Sequence, residues 1–182
     1  MILKNYFKIY ADLFKVINVK EIDYLIEYLN NFDRNKKIYV IGNGGSAALA
    51  EHFAQDLSKK CFIPAISLTN ICNITAFGND CGYGNVFADQ LEIYGNRGDC
   101  LICFTSSGNS DNINYACARA DLLGIFVVSF TGFDGGFTKG KSDINIHVPY
   151  SDYGVVESLH SLLFHFIIDV LYDKRIKDEE NG

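Results

Sequence analysis

Apolar positions near the start of the chain recur at intervals of three and four residues. Tyr6, Ile9, Tyr10, Leu13, Phe14 and Ile17 form one such series, and Ile22, Leu25, Ile26 and Leu29 form another. That period predicts two helices, each with one apolar face. At Lys37 the pattern changes. Lys37-Ile-Tyr-Val-Ile41 is a short, β-branched apolar run, predicts a strand, and ends in Gly42-Asn-Gly-Gly-Ser46. A helix follows from about Ala47 to Lys60.

Strand, turn and helix then recur. Ala65–Leu68 is a second strand, followed by helical stretches through Tyr94. Cys100–Phe104 is a third, ending in Thr105-Ser-Ser-Gly-Asn-Ser110 before a helix from Asn112 to Leu123. Ile125–Phe130 and Ile144–Val148 are the fourth and fifth, and a last helix spans about Val155 to Tyr172. Strands alternating with helices predict an α/β fold, a five-stranded parallel sheet with helices on both faces. Near-continuous apolar strands fit a sheet buried on both sides. Residues 1–182 read as one domain, with 1–34 a helical extension suited to packing against another subunit.

Composition narrows the possibilities. The chain has 182 residues, 48% of them hydrophobic, enough for one globular domain with a substantial core. With 16 basic against 22 acidic residues the net charge is −6, which argues against nucleic acid as the main partner. Residues 1–10 carry Lys4 and Lys8 and lack the apolar stretch of a secretory signal, and no segment reads as a bilayer span. The six cysteines are therefore expected as reduced thiols of a cytoplasmic protein. Cys100 and Cys103 have CxxC spacing, but three residues apart on a strand they point to opposite faces.

Ligands of an open α/β sheet bind beyond the carboxyl ends of its strands. Two loops there are chemically unusual. Gly42-Asn-Gly-Gly-Ser46 allows close backbone approach, and the helix N-terminus after it favours an anion. It matches a loose dinucleotide fingerprint, but the second strand ends in Leu68-Thr69-Asn70, without the acidic residue that would hold a ribose. Thr105–Ser110 supplies four hydroxyls where a helix cap needs one, which points to a phosphate.

The titratable residues form a second constellation. His52 and Asp56 lie four apart on one helix face, and Glu157, His160 and His165 lie on the last helix. Two histidines and two carboxylates suit a divalent metal such as zinc. Glu157 and His165 are separated by about 12 Å along a helix, at ~1.5 Å per residue. Either one of them is not a direct ligand or two chains contribute to each site, and we favour the second.

Ile41-Gly-Asn-Gly-Gly-Ser-Ala47, Ala76-Phe-Gly-Asn-Asp80, Thr105-Ser-Ser-Gly-Asn-Ser110 and Thr131-Gly-x-Asp-Gly-Gly136 occur in that order. Together they resemble the sugar isomerase (SIS) family and, within it, the phosphoheptose isomerases, over nearly the whole chain. The resemblance implies a flavodoxin-like five-stranded sheet and a homotetramer with active sites between subunits. It implies that Thr105, Ser106, Ser107 and Ser110 hold the sugar phosphate. Asn43, Gly44, Gly45, Ser46 and Asp80 would meet the sugar hydroxyls, with Lys60 and Glu157 also at the substrate. It places metal ligands at His52, Asp56, Glu157 and His165.

The chain departs from the family pattern at four positions. Asp56 stands where a catalytic Glu is usual, Glu157 where Gln is more frequent, Lys60 where Arg is usual and Gly154 where a substrate-contacting Asp is expected. The reaction implied is conversion of sedoheptulose 7-phosphate to D-glycero-D-manno-heptose 7-phosphate for lipopolysaccharide or capsule synthesis. Asp56 is then the base and His165 the acid, although Asp56 cannot readily be a tight ligand and a free base at once. Two alternatives stand beside it: a related binding protein that associates with the replication initiator, and an isomerase of another phosphosugar.

Overall fold

The computed structural model describes residues 2–181. Two helices, α1 (Leu3–Leu13) and α2 (Val19–Asn30), precede the first strand, β1 (Ile38–Gly42). Then come α3 (Gly45–Cys61), β2 (Ala65–Ser67), α4 (Ile71–Cys81), a 3₁₀ turn at Tyr83–Asn85 and α5 (Ala88–Tyr94). The second half runs β3 (Cys100–Thr105), α6 (Asp111–Leu123), β4 (Phe126–Thr131), α7 (Gly136–Lys139), β5 (Ile144–His147) and α8 (Tyr153–Asn181).

The five strands form one sheet in the order β2-β1-β3-β4-β5, and every pairing is parallel. This is the flavodoxin-like order, whose switch point lies between β1 and β3. β1 and β3 are buried along their whole length. Alternate residues feed two cores. Ile38, Val40, Cys100, Ile102 and Phe104 face α2, α3 and α8. Tyr39, Ile41, Leu101 and Cys103 face α5 and α6. Cys100 and Cys103 thus lie on opposite faces, as strand geometry requires.

Three expectations change. First, α2 is no appendage: Ile22, Leu25, Ile26 and Leu29 are buried in the core beside α8. In α1 only Leu13 is buried, while Leu3, Phe7 and the adjoining Phe14 are exposed. Second, α8 continues to Asn181, past the end of the apolar pattern near Tyr172. Third, a stretch of α8, Tyr153–Lys177, is long and apolar enough by length and composition to cross a membrane. Half of it is buried within the fold, where Leu159, Phe164, Ile167 and Ile168 cover the sheet, so its apolar character serves the core.

Candidate active site

The turns leaving β1 and β3 meet at the switch point and enclose a pocket of about 80 Å³. Asn43 and Ser46 line it from the first turn, Thr105, Ser106, Ser107 and Ser110 from the second, and Tyr153 and Glu157 from α8. One water needs only ~10–15 Å³ of such space, so the pocket has room for a phosphate-sized oxyanion.

Its hydroxyls are largely uncommitted. Ser110 sits at the N-cap of α6 yet makes no side-chain capping bond. The Ser106 hydroxyl is buried without a hydrogen-bond partner. Such a group costs ~1–3 kcal/mol while unsatisfied. An oxyanion entering the pocket would satisfy it, in line with the surplus of hydroxyls in the sequence.

The Ser/Thr loop is braced from behind. Gly108 has φ +67°, and a Cβ there would fall 2.0 Å from the Gly135 carbonyl oxygen. A Cβ on Gly136 would fall 2.5 Å from the Ser107 carbonyl oxygen. The turns after β3 and β4 therefore pack backbone against backbone, and glycine is required at both contacts. Thr138 donates to the Gly108 carbonyl through its backbone N–H at 3.0 Å and through its hydroxyl at 2.9 Å. The Gly132 N–H donates to the Ser106 carbonyl at 2.8 Å. The Thr131-Gly-x-Asp-Gly-Gly136 motif thus shapes the loop from outside the pocket.

Glu157 completes the pocket wall. Its Oε2 lies 2.4 Å from where a Cβ on Gly45 would stand, so the glycine makes room for the carboxylate. Burial raises the Glu157 carboxyl above its ordinary value.

The second cluster lies farther along α3 and α8. One ligand atom each from His52, Asp56 and His165 lies within 4.8 Å of the others. His52 Nε2 is 3.6 Å from Asp56 Oδ2. The His52 and His165 rings are 4.9 Å apart at 82°. His165 Nδ1 is 2.7 Å from the Ser161 carbonyl oxygen. A carbonyl only accepts, so Nδ1 carries a proton, which leaves Nε2 as the nitrogen able to meet a metal. That tautomer, held by a backbone carbonyl, is the arrangement that metal-ligating histidines use. Two imidazoles and a buried carboxylate suit a divalent ion such as zinc.

Four residues that the sequence singles out lie outside that cluster. Within one chain Glu157 lines the pocket and is not among the clustered His52, Asp56 and His165, since eight helical residues separate it from His165. Lys60 is engaged within the chain: its Nζ is 3.0 Å from Asp56 Oδ2, and that hydrogen bond raises the Lys60 ammonium above its usual range. Asp80 lies exposed at the end of α4, accepting from Asn79 at 2.7 Å, and does not line the pocket. His160 is fully buried, with Nε2 donating to the Thr131 carbonyl at 3.1 Å. Desolvation lowers its pKa to about 4, so it is a neutral core histidine.

Sequence reasoning missed Asn112. It is buried at the start of α6 and exchanges two hydrogen bonds with Asn43, at 2.8 and 2.9 Å. Nothing in its spacing marks it, since its partner lies 69 positions away.

The chain has informative relatives. A family model described as SIS domain matches residues 6–132. A phosphoheptose isomerase from Clostridium acetobutylicum is 36% identical over 160 residues, covering 84% of this chain and 82% of the relative. One from Helicobacter pylori (strain P12) is 41% identical over 153 residues, covering 81% of this chain and 78% of its own. The solved phosphoheptose isomerase of Neisseria gonorrhoeae superposes with a TM-score of 0.84 at 31% identity, covering 93% of this chain and 94% of that one.

Proposed function

The chain belongs to the phosphoheptose isomerases of the SIS domain family, and from that premise we propose that it converts sedoheptulose 7-phosphate to D-glycero-D-manno-heptose 7-phosphate. The observation that carries this reading is the pairing of two features on one fold. One is a hydroxyl-rich pocket at the sheet's switch point, with a buried unpartnered Ser106. The other is the His52–Asp56–His165 cluster.

In this reading the phosphate sits among Thr105, Ser106, Ser107 and Ser110, held by hydroxyls and by the N-terminus of α6. Asn43 and Glu157 bound the adjoining sugar. Ketose–aldose isomerisation removes a proton beside a carbonyl and returns it to the neighbouring carbon. Asp56 is the carboxylate suited to the removal, and the His165 imidazole to the return. Lys60 keeps the Asp56 oxygen oriented by its 3.0 Å contact. His52, Asp56 and His165 are the residues that would hold a zinc ion, which when bound supplies Lewis-acid polarisation of the substrate oxygens. Held in this way, Asp56 cannot act freely as a base nor His165 as an acid, so for each residue the two roles are alternatives, and the acid role needs a proton on His165 Nε2.

Asp56 is ten residues beyond Ser46 on α3, about 15 Å at ~1.5 Å per residue. We therefore assign each working site to two chains, the pocket of one subunit facing the cluster of its neighbour in a homotetramer. The exposed apolar side chains of Leu3 and Phe7 on α1, and of Leu162 and Phe166 on α8, suit such contacts. We place the protein in the cytoplasm, where thiols stay reduced. Asp56→Asn and His165→Ala test the assignment. Each is expected to lower conversion at least ~10²-fold in a folded protein. Unchanged conversion in either would remove that residue from the reaction.

A further inference from the structure

The Asn43 amide is held in a single orientation by two residues outside the pocket wall. Its Nδ2 donates to Asn112 Oδ1 at 2.9 Å, and Asn112 Nδ2 donates back to Asn43 Oδ1 at 2.8 Å. The Tyr83 hydroxyl donates to the same Oδ1 at 3.0 Å. Among the described residues these are the only hydrogen bonds of the Asn43 side chain. They occupy both lone pairs of Oδ1 and one of the two protons on Nδ2. The valence left over is one N–H, on a residue that lines the pocket.

This matters because an isolated asparagine amide turns over easily. Its terminal torsion is broad and nearly two-fold, so donor and acceptor can exchange places. A flip of Asn43 alone would set its NH₂ against the Asn112 NH₂ and its oxygen against the Asn112 oxygen, breaking both bonds of the pair. The reciprocal pair with Asn112 also joins the start of α3 to the start of α6, the two helices that follow the pocket loops.

We propose that Asn112 and Tyr83 are positioning residues that lock Asn43 as a hydrogen-bond donor to an oxygen of the bound phosphosugar. The lock selects a substrate atom that accepts, such as a phosphate, carbonyl or hydroxyl oxygen. This inference rests on the phosphosugar reading of the pocket.

A double-mutant cycle tests it in the full-length protein. Asn43→Ala, Asn112→Ala, Tyr83→Phe and the two doubles that include Asn43→Ala are compared for sedoheptulose 7-phosphate affinity by calorimetry and for kcat and KM. Asn112→Ala is expected to weaken binding by about twofold to tenfold, the worth of one hydrogen bond. Tyr83→Phe, which removes an exposed hydroxyl and leaves the fold undisturbed, should weaken it less and in the same direction. In the Asn43→Ala background neither should have a further effect. Losses that add to that of Asn43→Ala, or full affinity in both single variants, would overturn the lock. Wild-type protein that fails to bind sedoheptulose 7-phosphate would instead indict the substrate assignment. The same cycle then runs on whichever sugar phosphate from a ketose and aldose panel the wild type binds, with inorganic phosphate as the minimal probe.

Discussion

Replacing Gly108 with alanine tests how the phosphate loop is built. The added Cβ meets two obstacles. At φ +67° an L-residue is strained by ~1–2 kcal/mol. The Cβ would also fall 2.0 Å from the Gly135 carbonyl oxygen and 2.6 Å from its carbon, so backbone must move. Overpacking of that kind costs ~1–3 kcal/mol. Displacing the Gly108 carbonyl weakens two bonds from Thr138, each worth ~0.5–1.5 kcal/mol. The sum is about 3–8 kcal/mol before any relaxation, so the loss should exceed that of strain alone. Gly124→Ala is the control. Gly124 has nearly the same backbone angle, φ +69°, but its Cβ would meet only the flexible side chain of Arg97. It should lose only the ~1–2 kcal/mol of strain. Urea unfolding followed by circular dichroism, at one fixed protein concentration, measures both. Equal losses in the two variants would refute the claim that backbone contact between the β3 and β4 turns holds the loop.

Gly45→Ala should leave stability within about 1 kcal/mol, because the clash is with the movable end of Glu157, yet cut turnover ~10²-fold by displacing that carboxylate. Unaltered kinetics would show that Glu157 has no fixed role. His160 makes stability depend on pH. Its pKa is lowered to about 4 in the fold, so between that value and the ordinary 6.5 the unfolded chain binds more protons. Stability is full above pH 6.5 and falls by about 3 kcal/mol as pH drops to about 4. His160→Gln should flatten that slope, and an unchanged slope would place the proton elsewhere. If sites are shared between chains, mixing Ser106→Ala with His165→Ala subunits through unfolding and refolding should restore activity that neither variant has alone. Mixtures as inactive as their components would place each site within one chain.

Much of the fold is legible in the sequence because its physics is local. β1 and β3 are continuous apolar runs, and a strand buried on both faces has no other simple pattern. The two pocket loops are legible by composition, since surplus hydroxyls and glycines have little purely structural use. What local pattern does not reveal is which side chains converge. His52 and Asp56 share a helix turn and pair by spacing, but His165 reaches them only because α8 packs on α3. The same packing sends Glu157 to the phosphate pocket instead. Lys60 reads as a substrate ligand until its contact with Asp56 is seen. Asn112 carries no sequence signal, because its bond to Asn43 depends on two loops from different strands meeting at the switch point. α7, only four residues long, lies in a glycine-rich stretch with no helical period to reveal it.

The central claim is tested most directly by NMR of purified, zinc-supplemented protein incubated with sedoheptulose 7-phosphate. The account predicts the anomeric signals of an aldoheptose 7-phosphate, growing with time and lost when a chelator strips the metal. A folded, metal-loaded protein that leaves the ketose unchanged would contradict it.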